Sequence, residues 1–128
     1  MGGKLEFHNS TKILDMLQLT HWYQPIFRLE TGNVHGYEAL LRDESSHALS
    51  PIDIFKHAEL ENCRNTLDCK LLFEAFNSMK KMNACMSFLN IFPSTLLKPG
   101  FLPWWEKNIT GDSSVVLEIS ESEPVSDW

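Results

Sequence analysis

Three polar residues stand inside three apolar runs of this sequence. Glu38 lies in "YEALL", Asn90 in "FLNIF" and Glu118 in "VVLEIS". A carboxylate in an apolar strand is costly unless it is paired, hydrogen-bonded or bound to a cation. If the strands are neighbours, two carboxylates and one amide oxygen converge. Oxygen donors of this kind suit a hard divalent cation, and Mg2+ is commonly shared between carboxylates and phosphate oxygens. The competing reading of each residue taken alone is a glutamate that points outward, solvated or ion-paired.

Arg42 follows Glu38 by four residues, so Glu38, Leu40 and Arg42 share one face of a strand. A guanidinium beside a metal-bound carboxylate suits a phosphate, which it grips with parallel hydrogen bonds. The alternative is a surface ion pair with Asp43 or Glu44. The five histidines have no metal-binding spacing and read as surface or packing residues.

The elements that must position these residues are legible in outline. "STKILDMLQL" reads as a short lead-in helix. "HWYQPIFRL" is rich in aromatic and branched residues and reads as a strand, with Pro25 placing it at an edge or bulge. "ETGNVHG" supplies a turn and "VHGYEALLR" a second strand, which makes an antiparallel hairpin. "SPIDIFKHAEL" opens a helix with Ser50 as N-cap, Pro51 at the first helical position and Asp53 completing a capping box. Leu67, Leu71, Leu72, Ala75, Phe76 and Met79 recur at helical spacing and predict a second helix. "ACMSFLNIF" reads as a strand. "STLLKPGFLPWWEKN" reads as mixed helix and loop, broken by Pro99, Gly100 and Pro103. "SSVVLEIS" is the last strand. Apolar strands separated by helices favour a parallel sheet covered by helices on its outer face.

Composition sets bounds. The chain has 128 residues, 43% hydrophobic and 22% charged, which suits one folded domain. Its net charge of -6 argues against a nucleic acid polymer as partner. Three cysteines, Cys63, Cys69 and Cys85, match no zinc or disulfide pattern, so a reducing cytoplasm is the expected setting. No apolar run reaches the roughly 18 residues of a membrane span.

"YQPIFRLETGNVHGYEALLR" resembles the opening of the EAL-domain family, phosphodiesterases that hydrolyse cyclic di-GMP in bacterial signalling. The signature is Glu38-Ala39-Leu40, preceded by Tyr23-Gln24-Pro25-Ile26. "FLNIFPSTLL" resembles the family's Asn-bearing strand. "VVLEISE" resembles its Glu-x-Thr-Glu strand, with Ser120 where threonine is usual. The resemblance runs from about Leu19 to Glu121, after a lead-in over 1–18 and before a tail over 122–128. It implies an α/β fold: a partial TIM-like (β/α) barrel with its first strand antiparallel to the second, truncated after about the fourth strand. It implies that Glu38, Asn90 and Glu118 ligate Mg2+ or Mn2+, and that Gln24 and Arg42 contact the cyclic dinucleotide. In the family, metal-activated water opens the ring to linear pGpG.

A complete barrel of this kind takes roughly 250 residues. The family's Asp-Asp-Phe-Gly strand, its catalytic lysine and its later glutamate ligands have no counterpart here. The expectation is therefore the N-terminal half of a cyclic di-GMP phosphodiesterase that is inactive as an isolated chain. The alternative is an EAL-like binding or regulatory module. Open sheet edges would allow a homodimer, with Phe101, Trp104, Trp105 and Trp128 either covering the seam or packing in the core.

Overall fold

A computed structural model of the chain describes residues 12–109 and 114–121. A short 3-10 turn, Ile13–Met16, precedes β1 (Leu19–Phe27) and β2 (Val34–Asp43). Helices α1 (Pro51–Leu60) and α2 (Arg64–Lys81) follow, then β3 (Ser87–Ile91), the single turn α3 (Pro93–Leu96), α4 (Phe101–Asn108) and β4 (Val115–Ile119). The strands form one unclosed sheet in the order β1-β2-β3-β4. β1 and β2 are antiparallel, and β2-β3 and β3-β4 are parallel. This is the partial (β/α) barrel expected from the sequence, with β1, the strand that carries Pro25, at an edge. No helix among the described residues is long and apolar enough to cross a membrane. The leader before residue 12 and the tail from residue 122, with Trp128, lie outside the described residues.

The hairpin closes through Arg28 N donating to the Asn33 carbonyl and Gly32 N to the Arg28 carbonyl, both at 2.8 Å. Gly32 holds φ at 74°, a region open to glycine at little steric cost. Two compact units are present. The described residues up to Thr20 with Leu41–Arg64 form one, and His21–Leu40 with the described residues from Asn65 form the other.

In the first unit, α1 begins as its sequence dictates. Ser50 Oγ accepts from Asp53 N at 3.2 Å, and Pro51 occupies the first turn, where no intrahelical N–H is needed. The helix buries Ile54, Phe55 and Ala58, and it ends at Asn62, whose φ of 60° is the left-handed cap that asparagine tolerates. Asp43 organises the chain between β2 and α1. Its Oδ1 accepts from Gln18 N and Ser45 N, and its Oδ2 from Ser45 Oγ and Leu49 N, at 2.9–3.1 Å.

In the second unit, α2 lays Leu72, Ala75, Phe76 and Met79 against Ala39 of β2 and Leu89 and Ile91 of β3. Phe101 and Ile109 complete this core, and Trp104 and Trp105 pack against it. Both tryptophans are partly buried, which fits their packing on the core. Pro103 does not break the chain as the sequence suggested. It sits in the first turn of α4, where a missing N–H loses no hydrogen bond. The expected lead-in helix is one 3-10 turn, too short to sustain α-helical bonding.

Gly36 permits a close approach. A Cβ there would lie 2.5 Å from the Met86 carbonyl oxygen, which accepts from Tyr37 N at 3.0 Å. Gly36→Ala is expected to lower stability by about 1–3 kcal/mol, read by urea denaturation, because backbone must shift to admit the methyl.

The hydrogen bonds to Asp43 from Leu49, Ser45 and Gln18 hold its carboxyl well below the usual carboxylate range, against the opposing effect of desolvation. Stability from this group is full above its ordinary value of 3.8 and is lost as pH falls toward the lower folded value. Asp43→Asn is expected to melt below the parent at neutral pH. The gap should close in strong acid, as followed by circular dichroism.

Candidate functional site

The sheet register decides which residues meet. Glu38 pairs with Phe88, and Asn90 pairs with Glu118. Phe88 and Asn90 are two apart in β3, so their side chains leave the same face. Glu38, Asn90 and Glu118 therefore share one face, while Ala39, Leu89 and Ile91 face the core on the other. Asn90 and Glu118 are each fourth of five residues in their strands, and Glu38 lies midway along the longer β2.

The three side chains touch. Asn90 Nδ2 donates to Glu38 Oε2 at 3.2 Å and to the Ala39 carbonyl at 3.4 Å. Glu118 hydrogen-bonds to Glu38, and its carboxyl is pushed up from the ordinary value of 4.5. Burial is the main cause, followed by that hydrogen bond and the neighbouring negative charge. Glu118 Oε1 is buried with no hydrogen-bond partner among the described residues.

An orphaned carboxylate oxygen, a second carboxylate against it and an adjoining amide form a donor set that suits a hard divalent cation. A cation there would relieve the like-charge contact and give the orphaned oxygen a partner. Among the described residues no three His, Cys, Asp or Glu side chains gather as a metal-binding group. The set therefore stops at two carboxylates and one amide.

Gln24 is an exposed residue of β1. Arg42 belongs to the other compact unit, where its Nη1 donates to the Leu41 carbonyl at 2.7 Å. Of the histidines, His35 packs against Phe88 with ring centres 6.0 Å apart, and His21 lies 6.4 Å from Tyr23.

One positioning residue was missed from the sequence. Buried Asp68 of α2 accepts from Phe92 N at 3.0 Å, two residues after Asn90. One turn earlier, Asn65 Nδ2 donates to Ser94 Oγ at 2.9 Å and to Thr95 Oγ1 at 2.8 Å. Together they tie the start of α2 to the chain leaving β3. The signal was available: Asp68 lies on the stripe of Leu72, Ala75 and Met79, where a carboxylate needs a partner.

The unclosed sheet, its antiparallel first pair and the acidic face define a class: part of a (β/α) barrel with its polar residues on the face away from the helices. Residues 11–127 match the EAL domain family, and the chain belongs to it. An EAL domain protein from Listeria monocytogenes is similar in fold, with a TM-score of 0.73 and 21% identity over 89% of this chain and 50% of that one. The FimX EAL domain of Pseudomonas aeruginosa, bound to c-di-GMP, gives 0.63 and 20% over 92% and 50%. Klebsiella pneumoniae BlrP1, in a manganese and cy-diGMP complex, gives 0.65 and 22% over 80% and 27%. The chain spans half or less of the length of these solved relatives. No curated protein matches it significantly.

Glu118→Gln removes the like-charge contact while keeping the shape. The expected outcome is a higher thermal midpoint at neutral pH without metal. Because the folded carboxyl lies above 4.5, the wild-type penalty is full above the folded value and disappears below 4.5. The variant's gain should vanish over the same range, as read by thermal melts across pH.

Proposed function

We propose that this chain works as an EAL-type binding or regulatory module for cyclic di-GMP, without turnover by itself. The observation that carries the reading is the Glu38–Asn90–Glu118 group, joined by hydrogen bonds on one face of the sheet. It is a partial donor set. Two carboxylates and an amide would hold Mg2+ or Mn2+, leaving positions for phosphate oxygens. When bound, the metal supplies charge neutralisation and Lewis acidity toward a phosphodiester. Glu38 and Glu118 hold negative charge at this position, and Asn90 orients Glu38 through its amide. Arg42 would grip a phosphate, and Gln24 would hydrogen-bond the dinucleotide.

Hydrolysis asks for more. A general base and further anionic ligands are needed to activate and aim water. Two carboxylates and one amide suit retention of a ligand better than its cleavage. The second reading is that the chain is the N-terminal half of a cyclic di-GMP phosphodiesterase, completed by strands outside this sequence. The buried, partnerless Glu118 Oε1 favours that reading, because an orphaned carboxylate oxygen suits a catalytic metal. The open β1 and β4 edges suit pairing with a second copy as a homodimer.

Calorimetric titration with cyclic di-GMP, with and without Mn2+, tests the proposal, with chromatography of the mixture for pGpG. Saturable binding strengthened by Mn2+, without pGpG, is expected. Arg42→Ala should weaken binding by about 1.5–3 kcal/mol, the range for a hydrogen bond to a charged group. Formation of pGpG by the chain alone would sink the non-hydrolytic reading, and absence of binding would sink the module reading and favour the half-domain one.

A further inference from the structure

The second unit carries a concavity that the acidic face does not use. It is an open cavity of about 440 Å3, walled by the first half of α2 on one side and by α3 and α4 on the other. Phe73, Phe101 and Trp104 give it an aromatic floor. Lys70 and Lys98 are the charged side chains among its described lining residues, which include no aspartate or glutamate. That is a local reversal in a chain with 17 acidic and 11 basic residues.

We propose that this cavity binds a small aromatic monoanion, an apolar ring body carrying one carboxylate. The volume lies within the roughly 300–1,000 Å3 typical of small-molecule sites, and an aromatic lining with few polar groups is their usual chemistry. The charge pattern selects the ligand. A carboxylate brought against apolar walls must be paired, and the two ammonium groups are the available partners. The walls are braced for the purpose. Asn65 of α2 donates to Ser94 and Thr95 of α3, and Asn108 Nδ2 donates to the Trp104 carbonyl at 2.9 Å. Bracing of this kind limits the ordering cost of binding. Cys69 reports on the interior. Burial pushes its thiol up, Asp68 adds to the rise, and the positive charge of Lys98 opposes it, so that ammonium acts on the cavity wall.

The probe is 1-naphthoate, with 1-naphthylmethanol as its neutral counterpart, titrated by calorimetry. Saturable binding of the acid is expected, with the alcohol at least tenfold weaker. Lys70→Ala with Lys98→Ala should weaken the acid at least tenfold and leave the alcohol unchanged. Both lysines are exposed, so the fold should survive, as circular dichroism would check. A second readout keeps both lysines. In a Cys63→Ser, Cys85→Ser background, naphthoate should slow alkylation of Cys69 by iodoacetamide, followed by mass spectrometry. Equal affinity for acid and alcohol, no saturable binding, or no protection of Cys69 would overturn the proposal. So would displacement of naphthoate by cyclic di-GMP, which would move the binding to the acidic face. Self-association that excludes naphthoate at every protein concentration would assign the cavity to a second copy and likewise refute it.

Discussion

The parallel register of β2, β3 and β4 is the constraint on which the candidate site depends. Ala39, Leu89 and Ile91 must be covered by the apolar stripe of α2. With those residues committed to the helix side, period-two alternation sends Glu38, Asn90 and Glu118 to the opposite face. A slip of one residue would bury two carboxylates under α2 and expose the core residues, so burial protects the register. Core packing and site assembly are thus one decision made by the same strands.

The price of that arrangement is electrostatic. Glu118 sits half-buried against a second carboxyl, with an oxygen that no described group satisfies. Proteins seldom keep such a contact without a use for it, because neutral side chains of similar shape would be more stable there. The contact suits a cation or a shared proton, and either makes this face responsive to what binds. The aromatic cavity between α2 and the α3–α4 segment has the reverse character, with Lys70 and Lys98 among its lining residues beside Phe73, Phe101 and Trp104. Surfaces of opposite charge thus lie on one small unit.

Support for the acidic face comes from hydrogen bonds that the sequence states only indirectly. Asp68 holds the Phe92 amide, and Asn65 holds the hydroxyls of Ser94 and Thr95. These bonds fix where the chain leaves β3, and so where Asn90 ends up. Asp43 does similar service at the end of β2, gathering the loop that leads to α1. Read as a sequence, Asp43 was a possible ion partner of Arg42. In the fold its carboxylate is an acceptor for backbone and hydroxyl donors, since the loop brings those donors within reach.

Local order determined much of this protein directly. The Ser50 cap, the hairpin around Gly32 and the stripe of α2 follow from neighbour-to-neighbour physics: capping, turn geometry and hydrophobic period. The motifs around Glu38, Asn90 and Glu118 were enough to indicate the family. Tertiary structure decided the rest. Pro103 reads as a breaker by type but is harmless by position in α4. Asp68 reads as an ordinary helix residue until a strand end arrives beside it. The contact of Glu38 with Glu118, eighty positions apart, depends on pairing both strands with β3. Those outcomes are set by groups distant in sequence, and only packing brings them within hydrogen-bonding range.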